Sequence, residues 1–154
     1  MSIYLLLFTL FIVAPIGTFI HESGHMLGAK FVKADCIKLS IGLGKEIGTI
    51  CFKNVHITIH ALFFLGGFVQ SERHLPYKAL DIFWITICGP MNNGIFALLF
   101  FSLNGVYTSQ YIYILFLFNL WLAIINLIPY KVKDRHSDGY TILKTILPDS
   151  TIFK

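Results

Sequence analysis

Three long apolar runs dominate the hydrophobic pattern of the chain. They extend over about residues 3–28, 79–103 and 111–129. A hydrocarbon core about 30 Å thick needs about 20 residues of helix to cross it, so each run is long enough to span a membrane. The third run carries no charged side chain, and the second carries only Asp81, near its start. The pattern therefore predicts three membrane-spanning helices.

The segment between the first two runs follows a different period. "CIKLSI", "TICFK" and "VHITIHAL" alternate apolar and polar residues, which is typical of β-strands, and "GLGKEIG" has the composition of a turn. Gly66 and Gly67 then interrupt the alternation, as adjacent glycines do at a tight turn or a close backbone approach. Because unpaired strand edges cannot face lipid, we expect a small β-sheet over about residues 36–70, lying at the membrane surface or against the helices.

A short amphipathic stretch follows the third run. Asp138 and Gly139 precede an apolar pattern at Ile142, Leu143 and Ile146, which predicts a helix over about residues 138–147. We find no internal repeat or linker in the 154 residues, so one domain over residues 1–154 is the simplest division. The predicted fold is an α-helical membrane protein, with a three-transmembrane-helix core and a small membrane-associated β-sheet between the first and second helices.

Composition supports this class. Only 13% of the residues are charged and 56% are hydrophobic, whereas soluble domains have about 25% charged residues. The net charge of +4 is modest, and no basic stripe with interleaved aromatic residues indicates nucleic-acid binding. The three cysteines, Cys36, Cys51 and Cys88, include no CxxC pair and argue against a disulfide framework. We expect all three to be small buried side chains.

The basic residues indicate how the spans are oriented. All 12 Lys and Arg residues lie between the first and second spans or after the third span, and the "NGVYTSQ" loop has none. By the positive-inside rule, the N-terminus is outside, and the long loop and the C-terminus are cytoplasmic. We therefore expect an integral protein of a bacterial cell membrane, in which His21 and the segment after Pro129 lie on the cytoplasmic side.

The stretch "FIHESGHMLG" at the end of the first run contains an H-E-x-x-H pattern. On a helix, His21 and His25 share one face and can reach one zinc ion, while Glu22 can activate a metal-bound water without binding the metal. The alternative is a polar helix end with neutral histidines hydrogen-bonded to the backbone. Ionisable groups next to a membrane span are costly and usually functional, which favours the metal site.

A site with two histidines needs a third ligand. "NLIPYKVKDRHSDGYTIL" offers Asp134, His136 and Asp138 on the same side of the membrane. Asp138 begins the predicted short helix, where a carboxylate is ionised and held in place. From this chemistry alone, Asp138 is equally well explained as a helix cap.

Four motifs in order resemble the site-2 protease family of intramembrane zinc metalloproteases. "HESGH" resembles the HExxH of that family, "SIGLG…FFLGGFV" its membrane-associated β segment, "CGPMNNG" its GPxxN element, and "NLIP…SDG" its NxxP…DG element. The resemblance covers nearly the whole chain and corresponds to the minimal core, with no PDZ domain. The distance from the NxxP proline to the DG aspartate is four residues longer than usual. Asp134 occupies the usual spacing, but Asp138 has the glycine and the helix behind it.

The resemblance implies specific roles for these residues. His21, His25 and Asp138 would bind one zinc ion, with Asp134 as the alternative third ligand. Glu22 would be the general base, and Asn93 would hold the substrate backbone or the developing oxyanion. A helix–helix hydrogen bond is the alternative role for Asn93. Residues around Gly66 to Val69 would pair with an unwound substrate by strand addition.

The resulting hypothesis is a zinc-dependent intramembrane endopeptidase that hydrolyses membrane-spanning or membrane-associated peptides with metal-activated water. Its partners would be the lipid bilayer and a membrane-embedded peptide or protein substrate, with no nucleic acid. A regulatory partner or a homo-oligomer remains open. The alternative is a non-catalytic protein of the same fold that binds a partner peptide in a transport, immunity or assembly role. An intact Glu22 argues against that alternative, because a protein that only binds peptides has no use for a general base.

Overall fold

A computed structural model gives the fold of residues 3–133 and 135–147. Three long helices form the core: α1 (Ile3–Phe31), α2 (Ala79–Val106) and α3 (Gln110–Leu127). A β-sheet of strands β1 (Cys36–Phe52) and β2 (Val55–Glu72) connects α1 to α2. A short hairpin, β3 (Lys131–Val132) and β4 (Arg135–His136), connects α3 to the final helix α4 (Asp138–Ile146). The predicted order of three apolar helices with a small sheet after the first is confirmed.

The three long helices are apolar on their outer faces as well as at their contacts. All three are long and apolar enough to cross a membrane. Large side chains such as Leu98, Phe101, Trp121 and Ile124 are more than half exposed in the isolated chain. Soluble monomers rarely expose contiguous apolar surface of this extent, so these faces need a covering of lipid or protein.

Helix α1 is continuous but not uniform. Its Thr9–Val13 segment is a π-helical turn, and Pro15 follows within the next α-helical segment, Ala14–Phe31. A proline inside a helix lacks an amide hydrogen and collides with the carbonyl group four residues earlier. The wider π turn accommodates this proline without ending the helix.

Glycines determine how closely α1 packs against α2. A Cβ atom at Gly24 would collide with the carbonyl group of Cys88, and one at Gly28 would lie 2.8 Å from the Cα of Ile85. Small residues at such positions let two helix backbones approach, as in other membrane helix pairs. The HExxH segment of α1 is therefore held directly against the middle of α2.

The sheet is more folded than its two strands suggest. Residues 36–41 pair with residues 67–72 in antiparallel register on one side, and residues 37–41 pair with residues 55–59 on the other. Residues 48–52 form a hairpin with residues 55–59, and the register breaks between Ile41 and Gly48. Gly42 and Gly44 have positive φ angles of 85° and 88° in this interruption, which matches the predicted turn chemistry of "GLGKEIG".

Arg73 fixes the sheet to the helices at the end of β2. Its guanidinium donates to the Val32 carbonyl at the end of α1 (2.8 Å) and to the Asp81 carboxylate in the first turn of α2 (2.7 Å). The same group lies 4.6 Å from the centre of the Tyr77 ring. One side chain thus ties the sheet to two of the long helices.

The cysteine prediction is wrong for one of the three residues. Cys51 is exposed, and Cys36 and Cys88 are partly buried; all three are free thiols. Cys51 lies near the outer hairpin of the sheet, where its Sγ is 3.1 Å from Nδ1 of His56. Residues 43–52 of β1 are exposed at every position, so both faces of this part of the strand lie uncovered among the described residues. The apolar neighbours of Cys51 in the sequence did not reveal this.

Candidate metal centre

His21 and His25 lie one turn apart on α1, and their rings meet edge to face, with centres 4.7 Å apart and planes at 87°. The two Nε2 atoms are 3.1 Å apart. His21 is buried, and His25 is partly buried against α2, where a Cβ atom at Gly89 would collide with its ring. The glycine of "CGPMNNG" therefore provides the space that the His25 imidazole occupies.

Hydrogen bonds on the far side of each ring fix the tautomer. His25 Nδ1 donates to the Ile85 carbonyl at 2.9 Å, because a backbone carbonyl can only accept. His21 Nδ1 lies 2.6 Å from Asn93 Oδ1 and donates to it. Both Nε2 atoms consequently carry a free lone pair, as a metal-binding imidazole requires.

A chain of buried amides determines the orientation of Asn93. Its Nδ2 donates to the Gly17 carbonyl (3.1 Å) and to Asn119 Oδ1 (2.8 Å), which leaves Oδ1 as the acceptor for His21. Asn119 on α3 is oriented in turn by its donation to the Leu115 carbonyl at 2.8 Å. Asn93 and Asn119 are both 0% exposed. The alternative role predicted for Asn93, a hydrogen bond between helices, is therefore present. The same side chain also accepts a hydrogen bond from His21 of the site.

Ser137 and Gly139 place Asp138 opposite the histidines. Ser137 caps α4 by accepting from the Tyr140 amide at 3.1 Å, accepts from the Tyr130 amide at 3.0 Å, and donates to the Ile128 carbonyl at 2.7 Å. A Cβ atom at Gly139 would collide with the carbonyl group of Leu127. The sequence "SDG" thus binds the start of α4 tightly to the end of α3, with Asp138 between two anchors.

The Asp138 carboxylate reaches both histidines. Its Oδ2 is 3.1 Å from His21 Nε2, and its Oδ1 is 3.5 Å from His25 Nε2. The two Nε2 atoms are the ones whose lone pairs are free, so the carboxylate and the two imidazoles present three potential ligand atoms to one point.

The three groups fit a zinc ion. Their ligand atoms all lie within 4.8 Å of one another, and the buried Oδ2 of Asp138 has no hydrogen-bond partner. Two lone pairs and a carboxylate at this distance repel one another unless a cation lies between them. A tetrahedral zinc with bonds of about 2.0–2.1 Å separates its ligand atoms by about 3.3 Å. This is close to the 3.1 Å between the two Nε2 atoms and the 3.1 Å between His21 Nε2 and Asp138 Oδ2.

Glu22 lies between this cluster and the sheet. It is only 8% exposed, and a Cβ atom at Gly67 would lie 3.0 Å from its Cγ and 2.9 Å from the Ser40 carbonyl. Gly66 beside it has a φ angle of 79°. The paired glycines thus combine the two features expected of them, a conformation with positive φ and a close backbone approach. They bring the outer segment of β2 next to the Glu22 side chain.

The structure brings together His21, Glu22, His25, Asn93 and Asp138, all of which the sequence singles out. Asp134, the alternative third ligand, lies outside the described residues. His56 and His60 belong to the sheet, and His136 stacks on the Tyr140 ring at 4.6 Å. None of these three joins the described cluster.

Two supporting residues escaped the sequence reasoning. Asn119 is one of two asparagines in the third apolar run, and a buried polar group in a membrane span is usually functional. Ser137 was hidden because its partners, Ile128 and Tyr130, become neighbours only when the chain reverses through the β3–β4 hairpin.

Comparison with known proteins identifies one match. A family model described as Peptidase family M50 matches residues 7–110, which include the HExxH segment, the sheet and the Asn93 region. The match ends before Asp138, so that residue's assignment rests on the geometry of the site. No curated protein matches the chain significantly.

Proposed function

Because the chain belongs to peptidase family M50, the site-2 protease family that its four motifs resemble, we propose that it is a zinc-dependent intramembrane endopeptidase. It hydrolyses peptide bonds of membrane-spanning or membrane-associated peptides. The observation that carries this proposal is the convergence of His21, His25 and Asp138 within 4.8 Å, next to a buried Glu22.

In this proposal His21 and His25, through Nε2, and Asp138 hold one zinc ion. When bound, zinc supplies a Lewis acid that lowers the pKa of water to about 7 and polarises the substrate carbonyl. Glu22 accepts the proton that the attacking water loses and delivers it to the nitrogen atom of the departing amine. A carboxylate that does not bind the metal is suited to this transfer, because its lone pairs remain available.

Asn93 acts in this proposal as a positioning residue. Its 2.6 Å contact with His21 Nδ1 supports a role behind the histidine, where it fixes the ring and raises the basicity of Nε2. Its full burial and its three hydrogen bonds make contact with substrate or with an oxyanion the less favoured role.

The outer segment of β2 is the proposed binding edge for the substrate. Residues 67–72 pair with residues 36–41 on one side, and no other strand of the described residues pairs with them. Gly67 adjoins Glu22, so an extended peptide added along this edge passes the proposed general base. Pairing in this way also opens a helical substrate, whose peptide bonds are otherwise shielded.

We further propose that the three long helices cross a bacterial cell membrane, with the N-terminus outside and the site near the cytoplasmic side. Their exposed apolar faces and the placement of the Lys and Arg residues support this orientation. Exposed apolar surface also leaves room for a regulatory partner or a second copy of the chain.

The substitution Glu22→Gln tests the enzymatic proposal. We expect the purified variant in phosphatidylcholine vesicles to keep zinc, measured by elemental analysis, and to lose cleavage of a library of single-span peptides, measured by mass spectrometry. The control Glu46→Gln neutralises an exposed carboxylate of β1 and leaves both properties unchanged. Equal cleavage by the wild type and Glu22→Gln contradicts the proposal, and peptide retention without any cleavage by the wild type favours the non-catalytic alternative.

A further inference from the structure

A cavity of about 360 Å³ lies between the sheet and the β3–β4 hairpin. Leu65, Gly67 and Phe68 of β2 form one wall, and Arg135 and His136 of β4 form the other. The hairpin lies within the segment between Pro129 and Asp138, which is four residues longer than the usual spacing before the DG aspartate. The cavity therefore involves this lengthened segment.

Both walls of the cavity adjoin the candidate metal centre. On the sheet side, Gly67 contacts Glu22, since a Cβ atom there would lie 3.0 Å from the Glu22 Cγ. On the hairpin side, His136 precedes Ser137 and Asp138, and Ser137 caps the helix that begins with that carboxylate. A peptide strand paired with residues 67–72 would pass this cavity close to the bond that is hydrolysed.

The cavity combines a cation with apolar walls. Arg135 is exposed and supplies a guanidinium group, and Leu43 and Phe68 contribute apolar surface. No carboxylate lines the cavity among the described residues. The whole hairpin is basic, with Lys131, Lys133 and Arg135 against Asp134. A guanidinium group binds a carboxylate through two parallel hydrogen bonds, which makes the contact both stronger and more specific than that of a point charge.

We propose that Arg135 is a specificity-determining residue, which selects substrates with an acidic side chain beside the hydrolysed peptide bond. This inference rests on the proposed function, to which it adds a class of substrate. Negatively charged lipid is the alternative ligand, because a basic hairpin at a membrane surface attracts it as well. The cavity favours the peptide, because Gly67, the residue of the proposed binding edge that adjoins Glu22, lines it.

The test uses a library of single-span peptides with a randomised juxtamembrane segment, reconstituted with the protein in phosphatidylcholine vesicles. All peptides are amidated at the C-terminus, so side chains supply the only carboxylates. Cleavage by the wild type is read by mass spectrometry. Retention of peptides by the zinc-loaded Glu22→Gln protein is read by sequencing, which measures selection without cleavage.

We expect Asp and Glu to be enriched about tenfold at one position, both among products and among retained peptides. Arg135→Gln removes this enrichment, and Arg135→Glu replaces it with a preference for Lys and Arg. Lys133→Asn is the matched control: it removes a positive charge from the tip of the same hairpin, outside the cavity, at a residue with a φ angle of 53° that asparagine tolerates. This control keeps the enrichment.

Absence of acidic enrichment in the wild type, or enrichment that survives Arg135→Gln, overturns the inference. A second series in vesicles with phosphatidylglycerol separates peptide from lipid. If Arg135→Gln lowers the amount of phosphatidylglycerol that copurifies with the protein and leaves peptide selection unchanged, the hairpin binds lipid and the inference fails. Enrichment among retained peptides without Glu22-dependent cleavage supports the role of Arg135 and counts against the proposed enzymatic function.

Discussion

At the scale of single residues, the site depends on side chains that orient its proposed ligands. His21 and His25 would be free to turn if only their Nε2 atoms were constrained. The Ile85 carbonyl and the Asn93 amide each hold one Nδ1–H group, at 2.9 and 2.6 Å. Asn119 extends the second contact to α3. In a low-dielectric interior, a chain of side chains whose hydrogen bonds are all made strongly favours one set of rotamers. Any other set would leave a buried polar group unpaired, which is costly.

Asn93→Ala tests this orientation. The substitution leaves the His21 Nδ1–H group without its acceptor, so we expect zinc affinity to fall by about 10–100-fold, measured by competition with a chelator. Asn93→Asp, which keeps an acceptor at the same position, restores part of the affinity. Ser102→Ala is the control on the same helix, where the hydroxyl donates only to the Leu98 carbonyl on the exposed face. Unchanged affinity in Asn93→Ala would refute the positioning role.

At the scale of helices and strands, the glycines of the sequence motifs leave the space that close packing of the elements needs. Gly24 and Gly28 let α1 approach α2, Gly89 leaves room for the His25 ring, and Gly139 lets α4 approach α3. Each glycine lies beside a proposed ligand or one helical turn from it. The elements that carry those residues can therefore meet closely enough to bring three of their side chains together.

Gly89→Ala and Gly94→Ala form a matched pair in α2. A Cβ atom at residue 89 collides with the His25 ring, whereas a Cβ atom at residue 94 meets nothing within 4 Å. We expect Gly89→Ala to lose zinc and cleavage because His25 is displaced. Gly94→Ala keeps both and gains about 0.5–1 kcal/mol of helix stability, seen as an equal or higher unfolding temperature. Zinc binding that is equal in the two variants would show that the contact between Gly89 and His25 is unimportant.

At the scale of the whole molecule, the candidate site lies where the apolar helices meet the sheet. His21 and His25 lie ten and six residues before the end of α1, and Asp138 begins α4, which packs against the end of α3. Arg73 keeps the sheet at this end through its contacts with α1 and α2. The ion pair between Arg73 and Asp81 is mostly shielded, at 18% and 23% exposure, whereas that between Lys38 and Glu72 is about half exposed and contributes little.

The exposed Cys51 thiol tests the proposed orientation. In a Cys36→Ser, Cys88→Ser background, we expect a membrane-impermeant maleimide to label Cys51 in inside-out vesicles and not in intact cells, because the proposed orientation places the sheet on the cytoplasmic side. Tyr107→Cys in a cysteine-free background is the matched control: it lies in the exposed loop between α2 and α3 and is labelled from outside. The reverse labelling pattern would show that the chain crosses the membrane in the opposite orientation.

Much of the fold follows from rules that act locally along the chain. A membrane requires about 20 apolar residues per crossing, so the three spans are visible in the sequence as runs. Strand alternation is equally local, although the folding of β1 and β2 into four paired segments was not apparent, because it depends on which edges meet. The exposure of Cys51 was predicted wrongly for the same reason.

The sequence by itself determined the elements and the first half of the candidate site. The spacing of His21 and His25 is fixed within one helix, because residues four apart share a face. Tertiary structure alone decided the rest. Asp138 reaches the histidines from more than 100 residues away, Asn93 turns toward His21 because Asn119 and Gly17 hold its amide, and Arg135 faces the edge beside Glu22. Such relations depend on distances through space, which packing sets and local sequence patterns do not record.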